Sequence, residues 1–173
     1  MMGLSGTPAV SDPVLDDDGD LWLARAYNFR IHEKRYTLFK VKGEPYRHVL
    51  LRAVAVFLYA PVYDTLTIDT PLFRNKYKAD VAAFDYANDP LFWAECGETA
   101  ADTLEFIVKH TGARDIAWID STPIGQMEAF ARKAMHFKYL DKMTLVSVPD
   151  DALQYVDPDH FWLDERDLTR FFF

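Results

Sequence analysis

The chain has a single cysteine, Cys96, which excludes an internal disulfide framework and a zinc site built on cysteines. Its longest apolar run, Ala53–Ala60, falls far short of the ~20 residues that span a bilayer. No basic stretch precedes an apolar one near the start, so no signal peptide is expected, and the expected compartment is the cytoplasm. The glycine-rich and serine motifs that announce common chemistries are missing: there is no GxGxxG, no P-loop and no GxSxG. Serine occurs only at positions 5, 11, 121 and 147, none of them in a triad context. The histidines at 32, 48, 110, 136 and 160 do not fall at metal-ligand spacing, and no internal repeat or low-complexity tract is present.

What is present is enough apolar material for a core. Half of the 173 residues are hydrophobic and 15% are aromatic, which excludes a disordered chain and suits one domain. The net charge of −8 is unevenly spread. Residues 1–20 carry five aspartates and no base, and residues 143–173 carry seven acids against Arg166 and Arg170. The centre is slightly basic, so total charge neither excludes nor favours a polyanionic partner. Residues 1–20 read as a flexible acidic arm, 21–148 as a single domain and 149–173 as an acidic C-terminal extension.

Along the domain, Leu21–Ile31 and Tyr36–Val41 alternate, which predicts an antiparallel hairpin joined through His32–Lys34. Gly43-Glu44-Pro45 changes the period, and Tyr46–Tyr59 recurs at three and four as a buried helix stopped by Pro61. Strands are predicted at Thr65–Asp69, Tyr77–Tyr86 and Leu91–Cys96, with a loop at Pro71–Lys76 and a turn at Ala87–Pro90. A helix over Ala100–His110, with Thr99 as N-cap, precedes an apolar strand at Asp115–Asp120. A further helix over Gln126–Phe137 and a strand at Met143–Val148 follow. The expected class is α/β (α+β): a mixed central sheet with an α-β-β-β-α-β core flanked by helices and preceded by a β-hairpin.

The informative chemistry lies on two of these strands. With the turn centred near Asn88, Asp80 and Glu95 fall almost opposite each other. Paired carboxylates suit a hard divalent ion such as Mg²⁺, which keeps several waters and needs only one or two protein carboxylates plus substrate phosphates. The Cys96 carbonyl offers a third oxygen. From spacing alone, the pair reads more readily as two acids at the solvated ends of strands. A basic and aromatic set spans the hairpin and first helix: Arg25, Arg30, Lys34, Arg35, Lys40, Lys42, Arg47 and Arg52, interleaved with Tyr27, Phe29, Tyr36, Phe39 and Tyr46. It reads either as a nucleic-acid surface or as alternating wet and core faces.

Gly43-Glu44 opening a helix, Lys78-Ala79-Asp80 leading a strand and Trp93-Ala94-Glu95-Cys96-Gly97 ending the next resemble the PD-(D/E)XK nuclease superfold. More narrowly they resemble its YaeQ-like branch, over about Leu21–Asp120. The resemblance implies a restriction-endonuclease-like core and a metal-dependent phosphodiesterase acting on nucleic acid. It implies Asp80 and Glu95 as ligands of Mg²⁺ or Mn²⁺, with Glu44 reaching the same site. The superfold's lysine, two positions after the second acid, is Gly97 here. Lys78 is the substitute candidate, and His48, one helical turn after Glu44, is a candidate to position phosphate or water. The alternative is a non-catalytic member of the fold that binds nucleic acid or protein. No membrane partner is expected.

Overall fold

The computed structural model describes residues 21–72 and 77–173. The acidic arm expected over 1–20 lies outside the described residues. Strands β1 (Arg25–Ile31) and β2 (Lys34–Lys40) form a separate antiparallel hairpin. Its connection is the two residues His32 and Glu33, with φ of 47° and 64°. That is the conformation of a tight primed turn, whose twist matches that of the flanking strands. The His32 ring stacks on Phe57, 5.1 Å between centroids, and its Nε2 lies 2.8 Å from the Phe57 carbonyl.

Helix α1 (Tyr46–Tyr59) begins after Pro45, whose extended backbone sets the entry to the first turn. Then come β3 (Leu66–Leu72), β4 (Tyr77–Phe84), β5 (Pro90–Cys96), α2 (Ala101–His110) and β6 (Asp115–Asp120). This is the expected α-β-β-β-α-β core. Helix α3 (Ile124–Ala134), a 3₁₀ turn at Phe137–Lys142, β7 (Met143–Ser147), the short α4 (Asp150–Leu153) and β8 (Thr169–Phe172) complete the chain.

The six strands β3 to β8 lie in sequence order in one mixed sheet. β5–β6 and β6–β7 are parallel, and the other neighbours are antiparallel. Parallel neighbours need crossover connections, and α2 and α3 supply them. Two apolar cores result. On one side α1, the inward hairpin residues Phe29, Ile31 and Leu38, and the C-terminal Leu153, Val156, Leu163 and Leu168 pack on the sheet. On the other, Trp93, Ile116, Trp118 and Leu145 meet Leu104 and Ile107 of α2 and Met127 and Ala131 of α3.

Several boundaries differ from the sequence expectation. β3 runs on through Pro71 to Leu72 where a loop was expected. It is an edge strand, where a missing N–H is tolerated. Thr99 does not cap α2: Ala100 holds that place without a side-chain bond, and the Thr99 hydroxyl donates to the Gly97 carbonyl instead, at 3.3 Å. α3 starts earlier and ends three residues sooner than expected, because the chain extends at Met135. Residues 149–173, read as an extension, place β8 beside β7 and carry apolar side chains into the α1-side core. Phe171 and Phe173 pack on the opposite core, while Phe172 points to solvent.

Candidate functional site

The turn between β4 and β5 decides where the acids meet. Asp85 accepts the backbone N–H groups of Ala87 and Asp89, and Asn88 takes a positive φ of 66°. A register irregularity at Ala83/Phe84 follows, and the ladder then pairs Ala82 with Trp93 and Val81 with Ala94. The next pair in that register is Asp80 with Glu95. There the backbone ladder stops and a side chain replaces it: the Cys96 N–H donates to Asp80 Oδ2 at 2.7 Å. Beyond this point β5 continues beside β6, with Cys96 level with Ile119. The two carboxylates thus stand where neighbouring strands part.

A cleft of about 800 Å³ opens at that point. His48, Asp80, Glu95, Gly97, Thr99 and Asp120 are among the residues lining it. Arg47, at its rim, pairs with Asp150. Asp120 is a residue that sequence reasoning missed. It ends β6 at the carboxyl end of a parallel strand, the usual place for ligands in open α/β sheets. Its Oδ2 accepts the Thr122 hydroxyl at 2.5 Å.

Behind the cleft wall is a network of ions. His48 and Arg52 stand one turn apart on α1, and Glu44, in the segment just before the helix, meets both. Glu44 Oε1 takes hydrogen bonds from His48 Nδ1 and Arg52, both at 2.6 Å, and its Oε2 takes the Val41 N–H at 2.7 Å. Burial alone would raise the Glu44 carboxyl, but these donors outweigh it and hold it below the usual range. His48 Nε2 lies 3.1 Å from Asp80 Oδ1, so the ring is clamped between two carboxylates. Burial would lower its pKa, but the hydrogen bonds to Asp80 and Glu44 push it up to about 9. Arg52, only 1% exposed, also reaches Asp69 at 2.6 Å and the Phe39 carbonyl at 2.8 Å.

The candidates from the sequence therefore separate. Asp80 and Glu95 share the cleft. Glu44 is one layer behind, reached through His48. Lys78 bonds to Asp69 at 2.9 Å and is not among the cleft-lining residues. Cys96 lines the cleft, with its N–H committed to Asp80. Burial, then the nearby Asp80 charge, raises its thiol well above the ordinary value, as for a packed structural cysteine. Glu95 receives one hydrogen bond, from Trp93 Nε1 at 2.6 Å. Burial and then the charge of Asp80 push its carboxyl up to about 8, against the pull of Trp93 and His48. Gly97 has a φ of +80°, which favours glycine, and a Cβ there would lie 3.7 Å from His48 Cδ2. The side of the cleft that residue 97 faces is thus occupied by the His48 ring.

Among the described residues, no three His, Cys, Asp or Glu side chains are arranged to hold a metal ion. Asp80 and Glu95 form a pair, which suits an ion that keeps most of its waters. No helix of the described residues is long and apolar enough to cross a membrane.

The chain resembles two solved YaeQ structures. With YaeQ from Pseudomonas syringae it shares 14% identity at a TM-score of 0.63, over 85% of this chain and 92% of that one. With YaeQ from Xanthomonas axonopodis pv. citri the values are 16% and 0.56, over 77% of each chain. No family model and no curated protein matches the chain. At these identities the likeness shows the fold, which is YaeQ-like.

Proposed function

We propose that the cleft is the site of a divalent-cation-dependent phosphodiesterase of the PD-(D/E)XK nuclease kind, acting on nucleic acid. One observation carries the reading: Glu95 stands beside Asp80 in the cleft without a cation, and Asp120 in the same cleft has only the Thr122 hydroxyl. Arg52 serves Glu44 and Asp69, Lys78 serves Asp69, and His48 serves Glu44 and Asp80. Glu95 has only the neutral indole of Trp93. An unneutralised acid beside a second acid, in an open cleft, is what a hard divalent cation relieves.

Asp80 and Glu95 would hold Mg²⁺ or Mn²⁺, with the Cys96 carbonyl as the third protein oxygen. When bound, such an ion polarises a phosphoryl oxygen and acidifies a coordinated water. The chain's own residues do the rest. The Cys96 N–H and His48 fix the Asp80 carboxylate, and the Trp93 N–H fixes Glu95. The His48 imidazolium, and Arg47 at the rim where it pairs with Asp150, are the cations that would meet a phosphate once an ion offsets the acids. His48 supplies from α1 the cation that position 97 lacks.

A second reading, a binding module without catalysis, is favoured by one feature: both Asp80 oxygens already have partners, in His48 and the Cys96 N–H. Calorimetric titration with Mn²⁺, alongside cleavage of single- and double-stranded DNA and RNA, separates the two. The phosphodiesterase reading expects Mn²⁺ binding weakened by Asp80→Asn and by Glu95→Gln, with turnover falling in parallel. Binding without cleavage selects the module. No Mn²⁺ binding by the intact chain ends the metal-site reading.

A further inference from the structure

We propose that the outward face of the β1–β2 hairpin is a docking surface for single-stranded nucleic acid, separate from the cleft. In a chain of net charge −8, residues 21–42 hold Arg25, Arg30, Lys34, Arg35, Lys40 and Lys42 against one acid, Glu33. Strand alternation puts Arg30 and Arg35 on the outward face, and Arg25, Lys34 and the buried Lys40 in phase with the inward residues. The register places Arg30 directly opposite Arg35. Like charges so opposed destabilise a strand pair. Among the described residues, Arg30 and Arg35 have no carboxylate partner to offset that cost. A polyanion lying across the face supplies what the pair lacks.

The rest of the face supplies stacking. Next to the arginine pair, the Thr37 hydroxyl donates to Asn28 at 2.7 Å. Then comes the Ala26–Phe39 pair, with Phe39 57% exposed. Trp22, 71% exposed, stands near the start of β1 with Lys42 Nζ 5.2 Å from its ring centroid. Guanidinium forks match phosphate oxygens, and exposed aromatic rings accept bases on their faces. A duplex hides those base faces, which is why the partner is single-stranded. A second copy docking by the same face is a poor occupant, because it would bring arginine against arginine.

The hairpin is well anchored for this role, since Phe29, Ile31 and Leu38 are buried against the α1 side. Its strands extend about 20 Å. The near end adjoins the ion network: Arg52 binds the Phe39 carbonyl and Glu44 binds the Val41 N–H. A polymer along the hairpin runs from the distal arginine pair toward the helix that carries His48. The inference rests on the phosphodiesterase reading for its class of polymer, and its test needs no cation, so the two fail separately.

The test is fluorescence anisotropy of a labelled, mixed-sequence single-stranded oligonucleotide with the full chain in EDTA. Binding is expected, with an affinity that falls as salt rises. Arg30→Gln and Arg35→Gln together should flatten the slope of log affinity against log salt by about 1.4, at ~0.7 per phosphate contact. Phe39→Ala should weaken binding about tenfold and leave the slope unchanged. Lys133→Gln, on the exposed side of α3, should change neither. All these positions are exposed, and matching circular-dichroism melts establish that the variants are folded. The proposal is overturned if the intact chain does not bind. It is equally overturned if the arginine double variant binds as the parent does. Displacement by polyglutamate as effective as by unlabelled oligonucleotide, with Phe39→Ala without effect, would also overturn it and make the face a surface for acidic protein.

Discussion

Glu95→Gln keeps the size of the side chain and an oxygen that can accept the Trp93 N–H, while removing the charge that faces Asp80. Folding carries the Glu95 carboxyl from its ordinary 4.5 up to about 8, through burial and then through Asp80. Between those values the folded state binds more protons than the unfolded one, so this group makes stability fall as pH rises, levelling off above the folded pKa. At about 1.4 kcal/mol per unit, the loss between pH 6 and pH 8 is roughly 2–3 kcal/mol. The glutamine variant lacks this contribution. Urea unfolding at pH 6 and pH 8.5 should therefore show the variant gaining about 2 kcal/mol on the parent at the higher pH. His48 is common to both proteins and makes both profiles decline, so the difference between the profiles is the quantity to read. Mn²⁺ at a concentration that saturates the parent should erase the parent's disadvantage and move the variant less, because the variant keeps only Asp80 of the pair. Parallel profiles for the two proteins without metal would refute the charge argument.

Other outcomes follow from the same network. Arg52→Met leaves Glu44 and Asp69 without their buried guanidinium and should cost about 3–5 kcal/mol, read from the urea midpoint. The His48 pKa rises on folding from 6.5 to about 9, so its contribution is fully present below pH 6.5 and is lost as pH rises through about 9. The stability gap between the parent and His48→Gln should thus be widest in mild acid, on the order of 3 kcal/mol, and should close near pH 9. Gly97→Ala meets only ordinary contacts, so its cost is that of the left-handed backbone, about 1–2 kcal/mol; a much larger fall in thermal midpoint would mean that the cleft wall cannot hold a methyl group.

The legible parts of this fold were those whose signal is local. The alternation of Tyr36, Leu38 and Lys40 against Thr37, Phe39 and Val41 marks β2, and the three-and-four recurrence from Val49 to Leu58 marks α1. The turn at Ala87–Pro90 sets the β4–β5 register, so the neighbourhood of Asp80 and Glu95 could be counted off by arm length. The strand β8 could not. Its segment is acidic, broken by Pro149 and Pro158, and gains its order by adding to the exposed edge of β7. That pairing is a property of the sheet and leaves no period in Thr169–Phe172.

The site divides in the same way, and the division explains where its cation comes from. Lys78 is two residues before Asp80, which on a regular strand puts both side chains on one face. Asp69, opposite Asp80 in the β3–β4 ladder, has a φ of +57°, and the pairing skips it, going from Ile68–Val81 to Thr70–Ala79. That conformation costs an aspartate about 1–2 kcal/mol. Its carboxylate is joined to Arg52 and Lys78. Lys78 is thereby drawn to Asp69, and the positive charge beside Asp80 comes from His48 on α1. Nothing near Lys78 in the sequence signals this, because the partner lies on another strand and the conformation of Asp69 depends on a buried arginine from α1. What the sequence does show is the four-residue spacing of His48 and Arg52 on α1, with Glu44 just ahead of the helix. Two ionisable residues one turn apart on the face of a largely buried helix are a sign that this face meets charges on the sheet. Arg52, Lys78 and His48 are taken up by Glu44, Asp69 and Asp80, which leaves Glu95, beside Asp80, and Asp120 across the cleft as carboxylates that a bound ion would serve.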